Sequence, residues 1–411
     1  MRQILYQLNF MKFALIKERK NPPDRRVVLP PSACKEILEK YSNATIKVEH
    51  SEVRAFADDA YKKVGCEVTD DVSDCEVLFG VKEVPINALI PNKKYFFFSH
   101  TIKHQPYNRN LLRAILEKNI QLYDHEVITN KKGIRVVAFG RYAGIVGAYN
   151  GFRAYGLKSK AFQLPKAGEV ADQKGLIDEL KKINLPPIKI VLTGKGRVGN
   201  GVREMLEGML LKEVTVDEFL HQTFEEAVYV QIDVLDYNSR KDGKVIDEND
   251  FFNNPTEYKS NFMRFAKVAD FYIVGHYWDD HAPYIFTKED ARSPDFNIRV
   301  IADISCDVNG PIASTIRSST IEDPVYGYDP QTGKEVEYSD EKAIAVMAVD
   351  NLPCELPNDS SVGFGNNFLE YVIPAFFNGD KDGVLERALM TKNGKLTERF
   401  SYLQDYVDEK E

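Results

Sequence analysis

Three glycines at positions 194, 196 and 199 stand in the run Thr193-Gly194-Lys195-Gly196-Arg197-Val198-Gly199-Asn200-Gly201, a G-x-G-x-x-G pattern. A hydrophobic run, Ile188 to Leu192, precedes it, and an amphipathic stretch, Val202 to Leu211, follows. Between a strand and a helix each glycine has a task. The first permits a tight turn, the second lets backbone approach a pyrophosphate, and the third permits close helix–strand packing. The helix N-terminus then attracts the phosphates. That context separates a dinucleotide site from an incidental glycine-rich turn. An acid for the adenine ribose belongs about 20 residues further on. Asp217 fits that spacing, after a predicted strand from Glu213 to Val216, and Asp233, after Tyr229 to Ile232, is a later competitor. An acid there favours NAD over NADP without deciding between them.

Two further groups could move protons. Lys82 lies in Gly80-Val81-Lys82-Glu83 at the end of one hydrophobic run, and His100 lies in Ser99-His100-Thr101-Ile102-Lys103 at the end of another. A lysine and a histidine just past parallel strands point to the carboxyl edge, where open α/β sheets bind ligands. Taken singly, a lysine is usually a solvated surface group and a histidine a hydrogen-bonded structural one. The five cysteines are scattered with no C-x-x-C pair, and the seven histidines are dispersed, so no metal site is expected.

The elements that must position these residues alternate. Residues 13–18, 46–49, 77–81, 95–98, 121–123 and 135–139 read as strands, with helices at 31–41, 52–64 and 108–118. Pro22-Pro23 opens a loop, and Pro30-Pro31 suits the first turn of a helix. A second series follows at 188–192, 271–274, 299–302 and 345–349, with a polar, loop-like insertion at 233–261. The alternation predicts an α/β protein with mostly parallel sheets.

The chain has 411 residues, 43% hydrophobic and 28% charged, with a net charge of −8. Two domains are expected at that length. An acidic chain with pI near 5.6 is a poor partner for nucleic acid, which needs a basic face. No apolar run approaches the ~18 residues of a membrane span. Odd, scattered cysteines and no cleavage site after the N-terminal residues fit a cytoplasmic protein.

A set of segments, in order along nearly the whole chain, resembles the family of saccharopine dehydrogenase (L-lysine-forming) and lysine–2-oxoglutarate reductase. That family is related to alanine dehydrogenase and to the nucleotide-binding parts of transhydrogenase. The segments include Arg25 to Pro30, Gly80-Val81-Lys82, Phe97-Phe98-Ser99-His100-Thr101-Ile102-Lys103, Arg135 to Gly144 and Gly196 to Gly201. They continue with Ile273 to Trp278, Ile301 to Asp307, Ser319 to Pro324, Val349 to Pro353 and Thr391 to Leu396. The insertion resembles the reductase half of the animal bifunctional enzyme more than the shorter fungal dehydrogenase. Residues 1–10 precede the family's first strand and read as an extension or an alternative start.

The resemblance implies roles residue by residue. Lys82 matches the family's general base and His100 its second acid/base group. Arg26, Lys103, Gln105, Arg135, Phe139 and Asp307 match substrate contacts. Arg197, Val198, Tyr277, Ile304, Val349, Asp350, Asn351 and Leu352 match cofactor contacts. It implies two Rossmann-like lobes flanking a cleft, the C-terminal segment returning to the first. Residues 1–145 plus 354–411 would form the catalytic lobe and 146–353 the dinucleotide-binding lobe. The implied reaction is reversible hydride transfer between NAD or NADP and the secondary-amine carbon of saccharopine, with imine hydrolysis to lysine and 2-oxoglutarate. An alanine dehydrogenase-like enzyme shares Arg26, Lys82, His100 and Asp307 and is the nearest alternative; a non-catalytic dinucleotide-binding regulator is another. The expected partner is a small amino or 2-oxo acid, with neither nucleic acid nor membrane, and homo-oligomers are compatible with the family.

Overall fold

The computed structural model describes residues 10–21 and 24–410. The expected N-terminal extension, but for Phe10, and the Pro22-Pro23 loop lie outside those residues. The chain divides into two compact units: one runs to Phe139 and resumes at Pro357, and the other is Gly140–Leu356.

In the first unit, β1 (Met11–Leu15), β2 (Ala44–Glu49), β3 (Glu67–Thr69), β4 (Val77–Phe79), β5 (Lys94–Phe97) and β6 (Gln121–Asp124) form a parallel sheet in the order β3-β2-β1-β4-β5-β6. Both faces are covered, so the strands read as continuous apolar runs rather than alternating ones. Phe13, Phe79 and Phe96 join one core, and Ala14, Leu78 and Phe97 the other. Helices α1 (Pro31–Lys40), α2 (Asp58–Lys63) and α3 (Arg109–Glu117) connect the strands. The C-terminal segment returns to this unit, where Phe368 meets Phe79 edge-on at 5.6 Å.

Two expected elements change here. The helix foreseen over 52–64 is reduced to α2, because the Ala55 amide donates to the Arg25 carbonyl (2.7 Å) and the buried Arg54 guanidinium to the Glu49 carbonyl. Residues 135–139 form no strand beyond a single bridge, Thr129–Arg135. The free edge of β6 is taken instead by the C-terminal segment, whose Met390 amide donates to the Leu122 carbonyl (2.8 Å).

The second unit opens with α4 (Gly140–Ser159) and α5 (Gln173–Leu180). Its sheet contains β7 (Lys189–Thr193), β8 (Lys212–Glu213) and β9 (Val228–Ile232), followed by an excursion through β10 (Asn238–Arg240) and β11 (Tyr258–Ser260). It resumes with β12 (Phe271–Val274), β13 (Val300–Asp303), β14 (Val325–Asp329), β15 (Lys334–Val336) and β16 (Ile344–Met347). The eight-stranded order is β15-β14-β16-β13-β12-β7-β9-β8, parallel except for β14 and β15. Helices α6 (Arg197–Gly208), α7 (Val216–His221), α8 (Val234–Tyr237) and α9 (Glu248–Asn253) fill the first connections. Helix α4 lies tightly on α6: a Cβ on Gly144 would stand 2.1 Å from the Val198 carbonyl oxygen.

The insertion is therefore structured: β10 and β11 pair antiparallel, with Arg240 fastened to Asp242 and Asp250. Three-residue strands are too short to leave a readable period, so the polar composition there reads as loop.

Candidate functional site

Lys82 and His100 follow neighbouring parallel strands, β4 and β5, at their carboxyl ends. The loops that carry them are bonded to each other, the Phe98 amide donating to the Val81 carbonyl (3.0 Å). The Lys82 loop is held by Glu18, whose two carboxylate oxygens accept the amides of Val81 (2.6 Å) and Lys82 (2.9 Å). His125 holds the same loop from the other side, its Nε2 lying 2.9 Å from the Gly80 carbonyl oxygen. Burial pushes the Glu18 carboxyl up to about 7 against those amide bonds and pushes the His125 imidazole down to about 3. His125 is therefore neutral, and its one ring proton can donate to Gly80.

His100 adopts the left-handed conformation, φ 55°. Asp124, fully buried, fixes that turn by accepting the Ser99 amide (2.8 Å) and the Ser99 hydroxyl. The His100 Nδ1 lies 3.4 Å from Glu126, which also faces the Lys103 ammonium at 3.6 Å. Burial works against the Glu126 charge, but the two bases outweigh it and hold its carboxyl below the usual range. A lysine, an imidazole and carboxylates thus stand together on one sheet edge, residue types suited to moving protons.

The expected substrate contacts of this unit are arranged around the same edge. Arg26 is buried and bidentate to Asp24 (3.0 and 2.7 Å), with its guanidinium 4.2 Å over the Phe139 ring. Arg135 lies over Phe98 at 5.3 Å and donates to the Val137 carbonyl. Lys103 and Gln105 are exposed. Glu18, Asp24, Asp124 and Glu126 escape a reading by motif. Their signal is weaker: Glu18, Asp124 and Glu126 are acids within three residues of a strand end, and Asp24 lies two residues before Arg26.

In the second unit the three motif glycines meet three distinct demands. Gly194 has φ +95°, where a side chain is strained, and a Cβ there would stand 2.6 Å from the Gly275 carbonyl oxygen. A Cβ on Gly196 would meet nothing within 4 Å, which leaves its backbone open to a ligand. A Cβ on Gly199, in the first turn of α6, would stand 2.0 Å from the Gly194 carbonyl oxygen. Arg197 and Val198 begin that helix.

Asp217 requires a correction. The strand foreseen at 213–216 is only β8, at the sheet edge, and Asp217 sits in α7 with an exposed side chain paired to His221 (3.0 Å). The strand beside β7 is β9, and the residue at its carboxyl end is Asp233. Residue spacing alone cannot see that a short edge strand and a helix intervene. Asp233 caps α8, accepting the Val234 amide (2.7 Å), and Asp236 accepts the Asp233 amide (2.8 Å).

Beside Asp233 lies a cavity of about 160 Å³, walled by Val234 and Tyr237, by Phe251, Phe252 and Pro255 from the insertion, and by His276, Tyr277 and Trp278 after β12. The buried His276 bonds Thr193 through Nδ1 (2.7 Å), while its Nε2 has no partner. Burial pushes this imidazole down to about 4, so it is neutral.

The remaining expected cofactor positions, Ile304 and Val349 to Leu352, follow β13 and β16, neighbours in the same sheet. Ile304, Val349 and Leu352 are buried against α4, whereas Asp350 and Tyr277 are exposed. Asp307 lies exposed in the loop after β13. Among the described residues no cluster of three or more His, Cys, Asp or Glu could hold a metal, and no helix is long and apolar enough to cross a membrane.

Comparison with known proteins accords with this arrangement. The family model described as alanine dehydrogenase/PNT, N-terminal domain, matches residues 14–146. The mitochondrial alpha-aminoadipic semialdehyde synthase of Bos taurus is 29% identical over 97% of this chain and 48% of its own length, so the chain spans about half of that relative. The saccharopine dehydrogenase [NAD(+), L-lysine-forming] of Emericella nidulans is 25% identical over 85% of this chain and 88% of its own. A solved L-alanine dehydrogenase shares the fold, with TM-score 0.63 at 17% identity, over 97% of this chain and all of its own. Over most of its length the chain is thus similar to saccharopine dehydrogenases and to about half of an alpha-aminoadipic semialdehyde synthase, and its N-terminal third matches the alanine dehydrogenase/PNT model.

Proposed function

We propose that this chain is a nicotinamide-dependent oxidoreductase acting on a CH–NH bond, with saccharopine as substrate and lysine and 2-oxoglutarate as products in the oxidative direction. The observation that carries the reading is the Gly194–Gly199 turn. Its open Gly196 backbone at the start of α6 suits a pyrophosphate. The first unit would supply the acid–base chemistry and the second the cofactor site.

When bound, the nicotinamide accepts or returns the hydride. The protein's task is to move protons. Neutral Lys82 takes the proton from the secondary ammonium, freeing the nitrogen lone pair that expels the hydride. His100 takes a proton from the water that attacks the resulting imine carbon, and then protonates the departing amine nitrogen of the carbinolamine. In the reverse direction each group returns the proton it took in the forward one, so the protonated Lys82 acts as acid towards the secondary amine. Arg26, Arg135 and Lys103 would offer cations to carboxylates of the substrate, with Gln105, Phe139 and Asp307 as further candidate substrate contacts. Arg197, Val198, Tyr277, Ile304 and Val349 to Leu352 would hold the cofactor.

The adenine ring suits the aromatic cavity, because neutral His276 can offer its Nε2 as donor or acceptor and adenine has both. Asp233, with Asp236 beside it, suits a ribose 2′-hydroxyl and repels a 2′-phosphate, favouring NAD(H).

The test is oxidation of NADH and NADPH with lysine plus 2-oxoglutarate, and separately with ammonia plus pyruvate. Turnover of NADH requiring both lysine and 2-oxoglutarate is expected. Turnover with ammonia and pyruvate alone would transfer the chain to the alanine dehydrogenase reaction, and cofactor binding without any turnover would leave a regulator.

A further inference from the structure

The carboxylate of Glu18 has no part in the acid–base assignment above, yet it lies half-buried against the loop that presents Lys82. Burying a carboxylate is costly unless its oxygens are bonded. Here each oxygen accepts one backbone amide, from Val81 and from Lys82. Three further backbone groups of residues 80–81 are also engaged. The Gly80 amide donates to the Phe96 carbonyl (2.9 Å), the Gly80 carbonyl faces His125 and the Val81 carbonyl accepts the Phe98 amide. The strand ends at Phe79, and the amides of residues 81 and 82 are taken by Glu18 rather than by a carbonyl of a neighbouring strand. Glu18 reaches them with a side chain, from three residues beyond the end of β1.

We propose that Glu18 is the positioning residue of Lys82, clamping the backbone of residues 81–82 so that the lysine leaves the sheet edge in one direction. The proposal rests on the acid–base role given to Lys82 above. Two amide bonds to one carboxylate fix both the position and the tilt of the peptide plane. An uncharged carboxamide accepts through one oxygen only and presents an N–H to the other amide. Misplacement of a reacting group by about 1 Å costs on the order of 100-fold in rate.

Three measurements on the full chain test this. First, amide hydrogen exchange of the segment spanning Gly80 to Val84 should quicken in Glu18→Gln and Glu18→Ala relative to other loops of the same unit. Unchanged exchange in a folded variant overturns the clamp whatever the enzyme does. Second, Glu18→Gln should lower kcat between about 10- and 100-fold, with NADH affinity within about twofold. Wild-type kcat overturns the positioning role. Third, the double variant Glu18→Gln/Lys82→Ala, assayed with methylamine as a substitute base, should be no slower than Lys82→Ala under the same conditions. Multiplying losses would mean that Glu18 acts on stability or elsewhere, not through Lys82. Wild-type turnover in Lys82→Ala would instead refute the role of Lys82 while leaving the exchange result to judge the clamp. If Glu18→Ala fails to fold, the near-isosteric Glu18→Gln still decides.

Discussion

Lys82 and His100 differ in how they are fixed, and the difference predicts separable phenotypes. Lys82→Met should abolish turnover while NADH affinity stays nearly unchanged; a wild-type rate would refute its assignment. Two buried histidines add to the acid sensitivity of the fold. His125 and His276 are pushed down to about 3 and about 4 from an ordinary 6.5. The unfolded chain therefore binds protons that the folded chain refuses, from pH 6.5 downward, and stability is lost as pH falls through that window. At full effect His125 contributes on the order of 5 kcal/mol and His276 on the order of 3 kcal/mol. His276→Gln should flatten the fall of Tm between pH 6.5 and 4; an unchanged slope would mean that this histidine is already protonated in the fold. Glu18 has the opposite sign. Its folded value, about 7 against 4.5, means that the folded chain holds a proton the unfolded chain releases, so its contribution is present at low pH and fades as pH rises towards 7.

At the scale of elements, the glycine turn is a joint between β7 and α6 that tolerates no side chain on its helix side. Gly199→Ala would drive a methyl to 2.0 Å from the Gly194 carbonyl oxygen. NADH affinity measured by titration should fall at least tenfold, about 1.4 kcal/mol, and unchanged affinity would mean that the dinucleotide binds elsewhere. The comparison of Asp233→Ser with Asp217→Ser tests the strand assignment. The first should lower the preference for NADH over NADPH, and the second should leave it alone because α7 carries Asp217 away from the strand beside β7. An effect at Asp217 only would restore the spacing-based reading. The insertion belongs to this scale too. Its Phe251, Phe252 and Pro255 wall a cavity that neither the strand nor the turn could enclose.

At the scale of the molecule, the chain contains one tryptophan, and Trp278 lines that cavity with its indole N–H bonded to the Pro283 carbonyl (3.1 Å). Its emission therefore reports on the second unit alone, while far-ultraviolet circular dichroism reports on both. NADH at 100 times its Kd should stabilise the unit that binds it by about 2.7 kcal/mol, shifting the tryptophan-detected transition. The same titration on Lys82→Met should give the same shift. A shift seen only in circular dichroism would place the dinucleotide in the first unit and overturn the division of labour.

The glycine pattern, the base and imidazole after successive apolar runs and the alternation of strands with helices were all legible in the linear chain. They depend on local backbone rules: a turn needs glycine at fixed offsets, and parallel strands buried on both faces need unbroken apolar runs such as Tyr95 to Phe98. Only the tertiary structure decided which acid ends the strand beside β7, because strand order comes from pairing across the sheet and residue spacing does not encode it. It alone showed that Arg26 is already gripped by Asp24, that the polar stretch after Asp233 folds into the wall of a cavity, and that 135–139 is no strand because the C-terminal segment occupies the edge it would need. Glu18 and Asp124 were invisible for the same reason. A carboxylate that satisfies the amides of a loop some 60 residues away, as Glu18 does, carries no local signature; burial and distance in three dimensions define its task.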